Sequence, residues 1–383
     1  MTGPLAGVRV LDLSRLFPGP YATLLLADLG AEVIKVEDTR GGDYVRHLPP
    51  HAEDGIGGTF HALNRGKRSV ALDLRDDEHK DALLALVETA DVLVESFRPG
   101  VLEKMGLGPE RLLERNPRLI LCRISGYGQD GPDRLRAGHD LNYAARAGVL
   151  GMMGRPSALP VQVADLCGGS WPAALQICAA LFGRATTGQG AVIDVSMTEG
   201  AHAMLVMPLG RRAVSGEDVG GGRDLLVGAV PCYDVYPTKD GFLAVGALEP
   251  KFWLGFVAAL GLTDLGDKGL SQGEEAEEVR ACVTARLAEK TTAEWEAFFR
   301  EHDVCVEPVR SAEEAAAFDP QLAARGVTLP IPIGGSEVRL PKTPLSLAEP
   351  AAAPAPELGG DTEELLRAAG VPDDRLARIL GRA

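Results

Sequence analysis

The stretch GVRVLDLSRLFPGPYATLLLADLGAEVIKVE, residues 7–37, decides the fold. Val8, Val10, Leu11 and Leu13 make GVRVLDL (7–13) a buried strand. SRLFPGP follows as a turn, with Pro20 suited to the first turn of a helix. YATLLLADLG then reads as a helix stopped by Gly30, and AEVIKVE as a second strand. Strand, crossover helix and strand together build a parallel sheet. Working outward, SVALDL (69–74), DVLVESF (91–97), LILCRISGYG (119–128) and AVIDVSM (191–197) supply further strands. DEHKDALLALVETA and GPERLLERN are helices between some of them. Residues 1–197 are therefore expected to form a layered α/β domain.

Beyond 197 the texture changes. Residues 198–227 read as a helix running into a Gly-rich polar loop, a linker. AVPCYDVYPTKDGFLAVGAL (229–248) alternates like a hairpin with TKDG as its turn. EPKFWLGFVAALG and EEVRACVTARLAEKTTAEWEAFFREHD are helical, so residues 228–306 are expected to form a smaller α/β domain, with 307–325 as a second linker. EPAAAPAPELGGD is a Pro/Ala-rich linker, and the amphipathic TEELLRAAGVPDDRLARIL is expected to dock on a neighbouring surface.

Composition narrows the function. The 383 residues carry 39 Lys and Arg against 54 Asp and Glu, a net charge of −15, which argues against nucleic acid and anionic membrane surfaces as partners. Apolar runs such as ATLLLADLGAEVI are broken by charge before the ~18 residues a membrane span needs. MTGPLAGVRV is not a secretory signal and ILGRA is not a peroxisomal tripeptide, so a cytoplasmic location is expected. Six scattered cysteines without a C-x-x-C pair fit a reduced compartment, and seven dispersed histidines suggest no metal site. A dinucleotide site is not expected either. Glu37 stands after the second strand as a ribose-binding acid would, but the first turn lacks G-x-G-x-x-G.

Seven stretches carry a family resemblance: residues 3–37 (GPLAG…VIKVE), FRPGVLEKMGLG, RISGYGQDGP, AGHDLNY, ADLCGGSW, GALEPKFW and GGDTEELL. Together they resemble the class III CoA-transferase superfamily (CaiB/BaiF type), and within it the α-methylacyl-CoA racemase branch. That resemblance implies a large Rossmann-like domain, residues 1–197 completed by 326–383, with the small domain inserted. It also implies an interlocked homodimer and an acyl-CoA thioester as substrate. Coenzyme A would enter as part of that substrate, with no separate cofactor.

The phosphates of coenzyme A require cations gathered locally on an acidic chain. NRGKRS (64–69) offers Arg65, Lys67 and Arg68, and SFRPGVLEK offers Arg98 and Lys104, both beside strands where α/β folds bind ligands. Solvated surface charge is the plain alternative. The resemblance implies CoA contacts within 64–74 and 96–105, hence Asn64, Arg65, Lys67, Leu72, Phe97, Arg98 and Lys104, with Lys35 near the same edge.

A thioester acidifies its α-carbon, and inverting that carbon takes a base on one face and an acid on the other, of comparable proton affinity. His139 is one candidate; imidazole titrates in the needed range. Asp165 is the other, placed where extended VQVA meets a long apolar helix. N–H groups at that helix start are expected to hold the enolate oxygen. Each has a plain alternative: a hydrogen-bonded structural histidine, and an ordinary helix cap. Asp140 reads as a local backbone acceptor or cap, and Glu249, between a strand and a helix, as another cap. The resemblance implies instead that His139 and Asp165 are the two proton-transfer groups. It gives Glu249 of the partner subunit as the acid bonded to the histidine. In the transferase branch the same aspartate attacks the thioester carbonyl to form a mixed anhydride, usually with tyrosine where His139 stands. Met152, Met153, Met204 and Met207 are candidates for an adaptable acyl surface, with core packing the alternative for the last two.

Overall fold

The computed structural model describes residues 3–382. Six strands form one parallel sheet in the order β3-β2-β1-β4-β5-β6. They are β1 (Arg9–Asp12), β2 (Glu32–Glu37), β3 (Arg68–Ala71), β4 (Val92–Glu95), β5 (Ile120–Ser125) and β6 (Ala191–Ser196). All six coincide with the stretches read as strands. β4 and β5 are buried along their whole length, as strands covered on both faces must be. The chain order reverses at β1, whose neighbours are β2 on one side and β4 on the other. Ligands of open α/β sheets bind at such a reversal, outside the carboxyl ends of the strands.

The chain divides into two compact units, one made of the described residues through Ala147, Leu159–Met204 and those from Ala324 on. The C-terminal return finishes the exposed edge of the parallel sheet. Asp361 accepts the Ser69 N–H at 2.9 Å and Thr362 Oγ1 accepts the Ala71 N–H at 3.0 Å, so the unpaired donors of β3 are satisfied. Leu365 and Leu366 join the core under that edge. The Pro/Ala stretch, read as a free linker, is strapped across the unit: Gly66 N donates to Pro354 O and Arg46 to Pro356 O.

The other unit comprises Gly148–Ala158 and Leu205–Ala323. Strands Tyr233–Pro237, Phe242–Gly246 and Val306–Pro308 pair antiparallel, the first two through the TKDG turn. Trp253, Phe256, Trp295 and Phe299 fill its core, and both indole N–H groups find carbonyls, on Leu265 and Leu287. Residues 198–227, read as a linker, include the helix Val206–Ser215 and most of Met197–Ala203, and the division between units falls at Met204–Leu205.

One helical run departs from the sequence reading. Ala164–Thr187 is 24 residues long and holds an 18-residue window of mean hydropathy 1.3, long and apolar enough by composition to cross a membrane. Its charges, Asp165 and Arg184, lie near its two ends and leave the middle unbroken. The run packs against β5 and β6 yet leaves Leu175 71% and Phe182 83% exposed.

Candidate functional site

The turn after β1 is built around a buried carboxylate at the end of the strand. Asp12 ends the strand wholly buried, and its carboxylate accepts from Ser14 N at 3.0 Å, Thr23 Oγ1 at 2.7 Å and Lys67 Nζ at 3.0 Å. The Ser14 hydroxyl bonds the same oxygen as Ser14 N. A Cβ on Gly19 would fall 2.1 Å from the Ser14 side chain. A knot of protein groups thus packs the turn after β1 from within. Lys35 closes the knot, 3.1 Å from Asp43 and donating to Ser14 O. Burial disfavours the Asp12 carboxylate, but Lys35 and Lys67 overcome this and hold it well below the ordinary range. Burial brings Lys67 down to about 8, while the carboxylates around Lys35 outweigh burial and raise it.

This knot corrects three of the expected CoA contacts. Lys67 spends its ammonium on Asp12, Thr23, Pro20 O and Asn64 Oδ1. Asn64 in turn donates to Phe60 O. Arg65 forks onto Asp28 at 2.7 and 2.5 Å, and Thr343 donates to the same carboxylate. Asn64, Arg65 and Lys67 are all at most 5% exposed. They are structural, because the ammonium of Lys67, the amide of Asn64 and both terminal nitrogens of Arg65 have internal partners and none faces solvent; Arg65 Nε is buried without one among the described residues. Lys35, wholly buried, joins them.

The other expected contacts fare differently. A cleft of about 290 Å³ opens at the carboxyl ends of β1 to β4, with Leu72, Phe97, Val101 and Met105 as apolar walls and Arg15, Arg40 and Arg75 as cations. It continues past Arg15 and Arg40 to Tyr44 and His47. Phe97 is held there because Glu95, clamped by Arg123 at 2.8 Å, accepts its N–H at 2.7 Å. The Arg15 guanidinium lies 5.8 Å from the Phe97 ring and 5.6 Å from Tyr44. Arg98 and Lys104 are exposed on the segment that carries Phe97, Val101 and Met105. The sequence reading missed Arg15, Arg40 and Arg75. Arg40 and Arg75 stand two residues after Asp38 and Asp73 and pair with them, outside any basic run that could have marked them in the sequence.

Asp165 lies one residue inside a π-helical turn, Ala164–Ser170, that runs directly into the helix Trp171–Thr187. The preceding VQVA is not a strand, so the expected strand-to-helix boundary is absent. Wide turns of this kind concentrate at functional sites. The turn is fixed from outside: Ser170 Oγ donates to Pro18 O at 2.7 Å, and Gly168 presses its backbone on Gly200 of the Met197–Ala203 helix. The Asp165 N–H, expected to be free for an enolate oxygen, donates to Asp140 Oδ1 at 3.0 Å. Burial, aided by the Asp140 charge, pushes the Asp165 carboxyl up to about 7. No donor among the described residues offsets this.

That same bond brings His139 to the turn. Asp140 opens the helix Asp140–Ala147 and His139 is the residue before it, exposed, with Asn142 and Tyr143 N–H groups on its carbonyl. The His139 N–H is taken by Asn142 Oδ1 at 3.0 Å, and among the described residues its ring has no hydrogen-bond partner. Tyr143 buttresses the loop, its hydroxyl donating to Gly138 O at 2.6 Å; burial and then the Asp165 charge push its pKa up to about 12. In the second unit Glu249 heads the helix Pro250–Ala259, but its exposed side chain makes no cap hydrogen bond. Its carboxylate is therefore not spent on the capping role that its position suggested. Met152 and Met153 are half-buried, whereas Met204 and Met207 are 50% and 59% exposed, so neither of the latter is a core residue of this chain.

Comparison with known proteins follows from this geometry. A sequence profile of CoA-transferase family III matches residues 5–362. Human alpha-methylacyl-CoA racemase is 40% identical over 320 residues, 82% of this chain and 80% of that protein. Mouse succinyl-CoA:glutarate CoA-transferase is 32% identical over 381 residues, 95% and 86% of the two chains. The crystal structure of a CAIB/BAIF family protein from Brucella suis superposes with a TM-score of 0.83 at 29% identity, covering 96% of this chain and 100% of that one.

Proposed function

We propose, from the premise that this chain belongs to CoA-transferase family III, that it is a racemase of 2-methylacyl-CoA thioesters working by two-base proton transfer. The observation that carries this reading is the Asp165 carboxyl raised to about 7 on a turn bonded to the residue after His139. A carboxyl able to hold a proton near neutral pH, on a turn tied to the loop of an imidazole, is what reversible proton exchange at one carbon requires.

The chemistry closes on itself. One group, as base, takes the α-proton while the C–H electron pair passes into the enolate, whose charge rests on the thioester oxygen. The other group, already protonated, gives its proton to the opposite face. The product has inverted configuration, and the two side chains have exchanged protonation states. The next substrate, of the opposite hand, restores them. The start of the Asp140–Ala147 helix, directly behind His139, supplies the positive end of a helix beside the developing charge. In this reading the arginine-rimmed cleft holds the nucleotide end of coenzyme A, with Arg15, Arg40 and Arg75 as phosphate partners. Two copies form the enzyme, and Glu249 of the partner subunit reaches the imidazole.

The transferase reading uses Asp165 as a nucleophile. A carboxyl pushed up by burial serves either role as its anion, and the two readings part on whether the α-proton exchanges. Incubation of either enantiomer in deuterated water tests this. Deuterium is expected at the α-carbon, and His139→Ala is expected to suppress exchange from one enantiomer far more than from the other. Transfer of CoA from the thioester to a free carboxylic acid, with release of the original acyl group as its carboxylate, hydroxylamine trapping of Asp165 and no α-exchange, would overturn the racemase reading.

A further inference from the structure

We propose that Asp140 is the positioning residue of this site: its carboxylate ties the head of the turn that carries Asp165 to the loop that carries His139, and it sets a second negative charge beside that acid. An aspartate in the first turn of a helix normally serves that helix, bonding its free N–H groups and complementing its dipole. Asp140 does not. The N–H at the head of its own helix, on His139, is served by Asn142 Oδ1 at 3.0 Å. This releases the Asp140 carboxylate to reach across 25 residues of sequence to the Asp165 N–H at 3.0 Å. One side chain thereby does two things. It ties the imidazole-bearing loop to the carboxyl-bearing turn, and it sets a second negative charge beside a partly buried acid.

No other group on the packed elements does the same. On the helix Asp140–Ala147, Tyr143 bonds Gly138 O and Arg146 pairs with Asp133. The helix Pro18–Asp28 offers Tyr21, and Asp28, which is held by Arg65. Met197–Ala203 carries Glu199, and His202, which bonds Ala147 O; on β6, Asp194 accepts from Gln129 N. The site's own run holds Cys167, and Arg184, which pairs with Asp91. Burial is the larger cause that raises the Asp165 carboxyl, and among these charges only Asp140 adds to it. Asp140 itself never touches the reacting carbon in this account; it acts through Asp165.

The inference rests on reading Asp165 as a proton carrier, so its test includes a measurement that needs no turnover. The infrared band of a protonated carboxyl that disappears in Asp165→Asn is followed from pH 4 to 9 in the substrate-free, full-length protein. Asp140→Asn keeps an oxygen to accept the N–H but removes the charge. It is expected to lower the midpoint of that band by about one pH unit, a tenfold change in proton affinity. The acid limb of the α-exchange profile moves with it, while KM changes less than about twofold. Asp140→Glu, which keeps the charge, leaves the midpoint high. A midpoint unmoved in Asp140→Asn overturns the inference whatever happens to activity, and so does an equal shift in Asp140→Glu. If the parent protein shows no α-exchange, the racemase reading falls, and the band titration still decides the role of Asp140.

Discussion

Gly200 and Gly168 meet backbone to backbone: a Cβ on Gly200 would stand 2.1 Å from Gly168 O and 2.5 Å from its Cα. The helix Met197–Ala203 is in this way seated directly on the turn that holds Asp165. Gly200→Ala has no flexible side chain to push aside, so one element must move. It is expected to cost about 1–3 kcal/mol in urea unfolding and to reduce α-exchange at least tenfold. Gly183, further along Trp171–Thr187, has open space around its Cβ position. Gly183→Ala is expected to gain about 0.5–1 kcal/mol with activity unchanged. Equal unfolding midpoints for Gly200→Ala and the parent protein would show that the contact is not tight.

The two sets of cations separate by measurement. Lys67→Ala leaves Asp12 wholly buried with one of its two lysines gone, and is expected to lower stability by about 3–5 kcal/mol. Arg75→Ala, on the cleft, is expected to leave the melting temperature within a few degrees and raise KM for the CoA ester severalfold, with kcat held. That KM effect shrinks as salt rises, because exposed charges are screened. A rise in KM confined to the Lys67 variant would reverse the two assignments.

Asp165 imposes a stability cost whose sign is set by linkage. Its folded value, about 7, lies above the ~3.9 of an unfolded aspartate. Between those values the native chain binds the extra proton, so this group makes stability fall as pH rises from 4 to 7. Above pH 7 the whole cost is present. Asp165→Asn is therefore expected to be the more stable protein at pH 8, by roughly 2–3 kcal/mol after allowance for partial exposure, and its advantage is expected to vanish near pH 4. Denaturant midpoints of both proteins across that range check it; an advantage that does not vary with pH would exclude a titrating Asp165.

Trp171, Leu175 and Phe182 fall along the apolar helix at 36%, 71% and 83% exposure. The proposed second copy is expected to cover them, since uncovered aromatic and aliphatic surface at this density is costly in water. Sedimentation is expected to give the mass of two chains, and Phe182→Asp to shift the population toward one chain with the fold intact by circular dichroism. A single-chain mass for the parent protein would remove the dimer from the proposal.

The six sheet strands and the crossover at residues 7–37 were legible because short runs rich in Val, Ile and Leu stand between turn and helix signals, even where a charge such as Lys35 or Arg123 interrupts them, and Gly30 punctuates the helix with a positive φ of 100°. The small unit was legible for a similar reason, its hairpin turn being a local chemical signal. Asp165 was read at a strand-to-helix boundary, where a cap would stand, whereas it lies inside a π-helical turn. A π-helical turn depends on Ser170 reaching Pro18, and Gly168 meeting Gly200, from distant sequence. The misassignment of Arg65 and Lys67 has the same root. A basic run looks alike whether it faces water or a buried carboxylate, and Asp28 and Asp12 lie 37 and 55 residues away.

The sequence alone determined what is local: which segments are strands, where the chain turns, and which residues have side chains capable of moving a proton. Tertiary structure alone decided how those side chains are used. It turned Lys67 inward to Asp12, gathered Arg15, Arg40 and Arg75 from three separate loops around one cleft, and set Asp140 against Asp165. The reason is physical. Periodicity and turn chemistry act between neighbours in the chain, whereas burial, and the charge a group meets once water is removed, depend on which distant segments the sheet order brings together.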